Sequence, residues 1–243
     1  TYLFLNGRHL LLGMSDSIAD LHHPSTDLTN GGKIILLDTG AILDAEAVAM
    51  LQALHSRSTG GLMSHLKVLA EKGAEKFMSS FYVGYGHKSI GDCGTTTAFI
   101  EGVSMLTAKA VQDSPLYSGQ EASTRFIDFS KQRFIDPTRS DAGRELLEMQ
   151  RRLYVVAEEP TRRELLRLHP RAEGEDEEKY KKAINARAFD ITRCLLPAGA
   201  STNLAWHTNL RQAADKLLFL RHHPLEEVRD VALGLEKVLK GRY

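Results

Sequence analysis

The sequence lacks most features that would indicate a metal site or a membrane protein. Cysteine occurs only at Cys93 and Cys194, with no CxxC pair and no histidine at ligand spacing. This pattern argues against structural zinc, or any other metal site, and favours a reducing, cytoplasmic compartment. No apolar run approaches the ~18 residues of a membrane-spanning helix. The N-terminal segment has no basic start and no small-residue cleavage site, so we predict neither a membrane span nor a signal peptide.

The sequence also has no excess charge of either sign. Lys plus Arg and Asp plus Glu number 31 each, so no overall field favours nucleic acid or a membrane surface. An anionic ligand must therefore be bound by local arginines. Neither GxGxxG nor GxxxxGK[ST] occurs, so a dinucleotide here would not be bound in Rossmann or P-loop fashion.

The composition and the apolar periodicity predict one α+β domain over residues 1–243. Apolar residues make up 42% and charged residues 26% of the chain, as in ordinary globular proteins. A strand is expected at 33–43 and a charged loop at 170–180. Helices are expected at 44–56 with Asp44 as cap, at 60–73, 100–112 and 144–159, in a segment ending near Leu196, at 207–223, and after Pro224.

Two of these helices have well-defined apolar faces that we expect to be buried. In the helix at 144–159 this face consists of Leu146, Met149, Leu153 and Val156. In the last helix it consists of Leu225, Val228, Val231, Leu235 and Val238. Such stripes normally face the core of a domain.

The stretch "YSGQEASTRF" (117–126) is unusually rich in polar side chains. Ser118 and Glu121 have the spacing of a capping box at the start of a helix. Alternatively, Glu121, Ser123 and Arg125 share one face if the segment is extended. A carboxylate, a hydroxyl and a guanidinium on one face can bind a polar ring and an anion together.

Two further polar segments have both a structural and a functional interpretation. "GYGHKSIGD" is either a turn cluster or a loop whose glycines let backbone amides approach a phosphate, with Ser89 as a further donor. "HTNLRQAADKLLFLRHH" is either a solvated basic helix or a binding element with Asn209 and Arg211 at its start and Arg221 near its end. Arg193 is a helix-end cation in the structural interpretation.

Together these segments resemble the flavin-dependent thymidylate synthases, the ThyX family. The family signature RHRxxSxNExSxR, followed by an aromatic residue, is matched at Ser118, Glu121, Ser123, Arg125 and Phe126. "GHKSIGD" resembles the GHxSxxEH-type flavin loop, "RCLLP" the RxxLP element, "TNLR" the TxNxR element and "LFLR" the LxLR element. The ordered match covers roughly 45–232 and leaves 1–43 as a poorly matched N-terminal extension.

The resemblance implies a ThyX-like fold, helix-rich with a small, mainly antiparallel sheet, assembled as a homotetramer with FAD and dUMP sites at subunit interfaces. The implied reaction is reductive methylation of dUMP to dTMP, with methylenetetrahydrofolate as carbon donor and NADPH as reductant of the flavin. The flavin-contacting places fall on Ser58, His87, Ser89, Asp92, Gln120, Asn209 and Arg211. The nucleotide places fall on Lys109, Glu121, Ser123, Arg125, Arg193 and Arg221, of which Ser123, Arg125 and Arg221 are the candidates for catalysis.

The chain departs from the family pattern where the RHR triplet is expected. The triplet falls on 113–115 counted back from Ser118, or on 112–114 counted forward from His87. In both alignments the arginines are missing and Asp113 is present. Their loss would affect flavin-side binding or redox tuning. Two alternatives therefore stay open: a ThyX-fold paralogue that binds flavin or nucleotide without catalysis, and a related flavoenzyme acting on another pyrimidine nucleotide.

Overall fold

The structure is a computed structural model that describes residues 23–37, 44–56, 58, 61–74, 77–80, 86, 88–124 and 127–240. Its centre is an antiparallel sheet with the strand order β1-β2-β3-β5-β4. The strands are β1 (Ser25–Asp27), β2 (Lys33–Leu36), β3 (Thr95–Ser104), β4 (Ser118–Glu121) and β5 (Ser201–Asn209). The predicted helix-rich α+β class with a small antiparallel sheet is confirmed.

Seven α-helices accompany the sheet in the described part of the chain. They are α1 (Ala45–His55), α2 (Leu62–Lys72), α3 (Met105–Gln112), α4 (Asp141–Leu168), α5 (Glu177–Thr192), α6 (Leu210–Arg221) and α7 (Glu226–Lys240). The predicted cap of α1 is confirmed, since the Asp44 side chain accepts a hydrogen bond from the Ala47 amide at 2.7 Å. Gly73 ends α2 with a φ of 69°, a conformation that glycine adopts readily.

One face of the sheet forms the main core with α3, α6 and α7. Ile34 and Ile100 from the strands pack in the same buried cluster as Leu220 of α6 and Leu235 of α7. The predicted inner face of the last helix is confirmed, because Val228, Val231, Leu235 and Val238 are all buried and Leu225 packs against them. We call this sheet with its three helices the body.

A carboxylate ties α7 to the junction between β3 and α3. Glu227 accepts hydrogen bonds from the Ser104 amide at 2.8 Å, from the Ser104 hydroxyl at 2.5 Å and from the Thr107 hydroxyl at 2.8 Å. A fourth donor is the Asn30 side-chain amide at 2.8 Å. Four donors compensate this carboxylate for the water that it loses on folding.

Two predicted helices begin later than expected, and one of the two interpretations of 117–126 is wrong. The helix predicted at 100–112 begins only at Met105, because β3 stays paired with β5 as far as Ser104, past a bulge in which Gly102 has a φ of 66°. Ser118 and Glu121 form no capping box; they belong to β4, which pairs with β5. Residues 207–209 are also strand, and α6 begins only at Leu210.

The predicted inner face of the helix at 144–159 is also wrong. Helix α4 pairs with α5 in a hairpin, residues 141–192, which we call the arm. Leu146, Met149, Leu153 and Val156, the exposed stripe, are 60%, 59%, 52% and 64% exposed. The buried residues of α4 are instead Tyr154 and Leu165, on another side of the helix. Among the helices that the structure describes, none has the length and apolar character to cross a bilayer.

Candidate functional site

The sheet face opposite the core carries several predicted flavin-contacting residues. In β5, Leu204 and Trp206 are 3% and 4% exposed and belong to the core, so Ala205, His207 and Asn209 point the other way. Directly paired residues share a face, and the register pairs Gln120 with Ala205. Residues that lie on this polar sheet face are Thr95, Thr97, Ser118, Gln120, His207 and Asn209.

One end of the polar sheet face is closed by an ion pair. The Arg211 guanidinium binds the Asp92 carboxylate through two contacts, Nε to Oδ1 at 2.7 Å and Nη2 to Oδ2 at 2.6 Å. Asp92 ends the short 3₁₀ segment Lys88–Asp92, and Arg211 lies in the first turn of α6. Two residues 119 positions apart, both predicted as flavin contacts, are thus brought together by the fold.

Asn209 marks the point where the polar sheet face meets α6. Its side-chain oxygen accepts the Gln212 amide at 2.8 Å and caps the helix. The side-chain NH2 group takes no part in that bond and can donate elsewhere. The same residue therefore supports the helix and presents a donor beside the Asp92–Arg211 pair.

His207 is a residue of this face that the sequence interpretation missed. Its Nδ1 lies 2.9 Å from the Thr97 hydroxyl, across the β3–β5 pair. The signal that could have found it is its spacing of two from Asn209, which places both side chains on one face of a strand.

The predicted nucleotide residues are spread over different elements and bind different neighbours. Glu121, in β4, accepts a hydrogen bond from the Gln112 side chain at 2.7 Å. Arg193, which follows α5, pairs with Asp190 at 3.2 Å, and Arg221, which ends α6, pairs with Glu236 at 3.1 Å. Lys109 is an exposed residue of α3.

Five predicted residues remain: three are exposed serines, and two lie outside the described residues. Ser58, Ser89 and Ser123 are exposed. His87 and Arg125 lie outside the residues that the structure describes. The extended conformation proposed for Glu121 to Arg125 is therefore observed only as far as Glu121, where β4 ends.

A lysine from α6 lies beside the segment where the family arginines are missing. Asp113 ends α3, and the Lys216 ammonium donates a hydrogen bond to its backbone carbonyl at 2.8 Å. Burial lowers the pKa of Lys216, and the Asp113 carboxylate partly opposes that shift. Sequence alignment to the signature could not reveal this cation, because it comes from an element far along the chain.

Tyr117 holds the start of β4 against β5. Its hydroxyl donates to the Ala205 carbonyl at 2.8 Å, and a Cβ on Gly119 would lie 2.6 Å from that same hydroxyl. Burial raises the pKa of Tyr117. This shift favours the neutral phenol, which is the form that donates to the Ala205 carbonyl.

Three clefts in the described part of the chain are lined by residues other than the predicted site residues. These clefts have volumes of about 330, 380 and 640 Å³. The polar sheet face is an open surface on the single chain. The part of the chain that is described also holds no cluster of three or more His, Cys, Asp or Glu residues suited to a metal ion.

Comparison with known proteins agrees with this arrangement of motifs. A curated protein of Chlamydia muridarum (strain MoPn / Nigg), described as a UPF0159 protein, is 27% identical over 159 residues. The match covers 60% of this chain and 30% of that relative's length. The family model of the thymidylate synthase complementing proteins matches residues 41–242. The chain therefore belongs to the thymidylate synthase complementing protein family, the ThyX family.

Proposed function

We propose that the protein is a flavin-dependent thymidylate synthase that converts dUMP to dTMP. Methylenetetrahydrofolate is the carbon donor and NADPH the reductant. The observation that carries the proposal is the polar sheet face, where Gln120, Asn209 and the Asp92–Arg211 pair lie together in a chain of this family.

The chemistry of this face suits a flavin ring. The edge of an isoalloxazine ring presents carbonyl oxygens and ring nitrogens, which the amides of Gln120 and Asn209 can bind as donors or acceptors. Phe99 is 38% exposed on the same face and offers an aromatic surface. FAD would be held by Ser58, His87, Ser89, Asp92, Gln120, Asn209 and Arg211. When bound, the flavin supplies the hydride chemistry, while these residues bind and orient it.

The nucleotide is bound by the second group of residues. Arg125, Arg193 and Arg221 bind the phosphate and the uracil carbonyl, because guanidinium groups form paired hydrogen bonds with oxyanions. Glu121 and Ser123 orient the ring, and Lys109 adds a cation. Arg193 and Arg221 are each held by one carboxylate, which positions them and leaves further N–H donors for a ligand.

The site is completed by other copies of the chain in a cytoplasmic homotetramer. Two observations support this part of the proposal: the polar sheet face is open on the single chain, and the exposed stripe of α4 leaves four large apolar side chains uncovered. Burying such a stripe against a second copy removes apolar area from water.

The loss of the RHR arginines favours one alternative, a paralogue that binds flavin or nucleotide without catalysis. Asp113 replaces a cation, and Lys216 restores one positive charge nearby. A related flavoenzyme acting on another pyrimidine nucleotide uses the same binding residues, and only the products separate it from the first proposal.

The test is a titration of the full chain with FAD and then with dUMP, followed by a dTMP assay. We expect Gln120→Leu to weaken FAD binding and Arg221→Gln to weaken dUMP binding, each about tenfold or more. Arg125→Ala should cost about 2 kcal/mol in dUMP binding. Arg167→Gln, on the exposed arm, is the matched control and should change neither affinity.

Each outcome separates the hypotheses. Binding of both ligands with dTMP formation supports the synthase, and binding without any turnover supports the non-catalytic paralogue. Turnover of a different pyrimidine nucleotide supports the related flavoenzyme. A protein that binds neither FAD nor dUMP contradicts all three.

A further inference from the structure

The cleft of about 640 Å³ is lined by none of the residues assigned above. It is formed where the loop at 133–139 meets the β3–α3 junction and the start of α7. Four arginines line it, together with Asp136, Glu226 and Glu227. The cleft thus combines an excess of guanidinium groups with a wall that includes apolar side chains.

Arg133 is held in place by backbone atoms. Its Nη2 donates to the Gly102 carbonyl at 2.9 Å. A Cβ on Gly31 would lie 2.6 Å from its Nη1, and one on Gly102 would lie 3.3 Å from its Nη2. Both glycines have positive φ, 80° and 66°. The fold therefore makes room for this guanidinium and fixes it before any ligand arrives.

Arg229 is fixed in the same way, by carbonyl oxygens. Its Nη1 donates to the carbonyls of His223 and Pro224, each at 2.7 Å. Within the described residues neither Arg133 nor Arg229 forms an ion pair with a carboxylate. A carbonyl partner orients a guanidinium without neutralising its charge, so both retain donors for an anion.

The carboxylates of the cleft are engaged with other groups. Glu227 accepts the four hydrogen bonds described above, and Asp136 accepts bonds from the Thr138 amide and hydroxyl and from the Ser140 amide. Glu226 pairs with Arg139 at 3.1 Å. These oxygens already have donors, which limits their competition for Arg133 and Arg229.

The apolar part of the cleft suits a ligand with a hydrophobic body. Leu106 of α3 lines it and is 44% exposed. Phe134 and Leu225 line it as well. We propose that this cleft binds a small phosphate monoester with an apolar or aromatic body, at a site separate from the proposed nucleotide site. The three free oxygens of such a phosphate can accept from two guanidinium groups at once, which a carboxylate cannot do as well.

The test uses phenyl phosphate as the probe. Its binding to the full chain carrying Arg193→Gln and Arg221→Gln is measured by titration calorimetry. These changes remove two of the three guanidinium groups of the proposed nucleotide site and so weaken binding there, and the further variants assign the binding that remains. We expect phenyl phosphate to bind this protein, and benzoate and inorganic phosphate to bind more weakly. Adding Arg133→Gln or Arg229→Gln should weaken binding of phenyl phosphate about tenfold or more. Arg167→Gln should leave it unchanged.

Leu106→Glu is a second test that should not affect folding, because the Leu106 side chain is already exposed. The introduced carboxylate should repel phenyl phosphate and weaken its binding in the cleft. The proposal is overturned if phenyl phosphate binding is lost with Arg193→Gln and Arg221→Gln alone. It is also overturned if Arg133→Gln, Arg229→Gln and Leu106→Glu all leave binding intact, or if benzoate binds as tightly as phenyl phosphate. None of these results bears on FAD binding or dTMP formation, so the proposed function is tested separately.

Discussion

The body and the arm respond differently to the same sequence pattern. Both α7 and α4 carry apolar residues at helical spacing. In α7 of the body, Val228, Val231 and Leu235 are fully buried. In α4 of the arm, the exposed stripe is more than half exposed at every position. An apolar stripe therefore indicates that a helix needs a partner surface, but not that its own chain supplies one.

Another side of α4 contacts the loop that precedes the arm, at residues 129–134. Arg151 donates to the carbonyls of Phe129 and Ser130, and its guanidinium lies 4.2 Å from the centre of the Phe134 ring. Tyr154 is buried, and its ring packs edge-on against the ring of Phe129. This attachment uses a guanidinium and aromatic rings, which an apolar-periodicity rule does not count.

The largest expected difference is in stability. Leu235→Ala in the body removes a fully buried side chain and should lower the free energy of unfolding by about 3 kcal/mol. Leu153→Ala in the exposed stripe should cost less than about 1 kcal/mol. Urea unfolding followed by circular dichroism, at low protein concentration, measures both. If both variants lose the same free energy of unfolding, the exposed stripe is buried in solution, and the body and the arm do not differ in this respect.

A smaller effect is expected on assembly. If a second copy covers the exposed stripe, Leu153→Glu should shift the protein to a smaller species in sedimentation velocity, because a buried carboxylate is costly. Leu233→Glu, at a position 55% exposed on α7, introduces the same charge in the body and serves as the control. Identical sizes for both variants and the unchanged protein would rule out the stripe as a contact between copies.

The smallest effect concerns Asp136, where the chain passes from the body into the arm. A hydrogen bond from the Thr138 hydroxyl is the main reason that its pKa is lowered. Because the folded-state pKa lies below the unfolded value, the carboxylate stabilises the fold above its ordinary pKa. That stability is lost as the pH falls through the folded-state pKa.

Asp136→Asn should therefore lower the urea midpoint slightly near pH 7 and have less effect near pH 3. Urea midpoints of the variant and the unchanged protein at the two pH values measure this. A difference of the same size at both would show that the carboxylate charge contributes nothing there.

Local signals in the sequence predicted several elements well. The cap at Asp44 and the stop at Gly73 depend on neighbouring residues only, and both are observed. The predicted face of α7 is observed as well, although its burial also needs the partner surface that the sheet supplies. The start of α3 was misplaced because strand pairing with β5 overrides the helical spacing after Ile100. Long-range pairing is invisible to a short window of sequence.

In the candidate site, too, some residues are found from local motifs and others only from long-range contacts. The sequence motifs named Asp92, Gln120, Asn209 and Arg211, and the fold places them on or beside one sheet face. It took the register of β3 and β5 to add His207, and the packing of α6 on α3 to bring Lys216 to Asp113. These contacts span about a hundred positions. The spacing of two between His207 and Asn209 indicates a shared face of one strand, but it does not show that Thr97 lies opposite His207.

By itself, the sequence determined the helix-rich α+β class, the family, the caps of individual helices and the residue types available to bind a flavin and a nucleotide. These follow from periodicity, capping and motif chemistry, which act within a few residues. Only the tertiary structure decided which apolar stripe is buried, that Asp92 and Arg211 form one ion pair, and that Arg133 and Arg229 face a common cleft. Those outcomes depend on strand register and helix packing, where residues distant in the chain compete for the same surface.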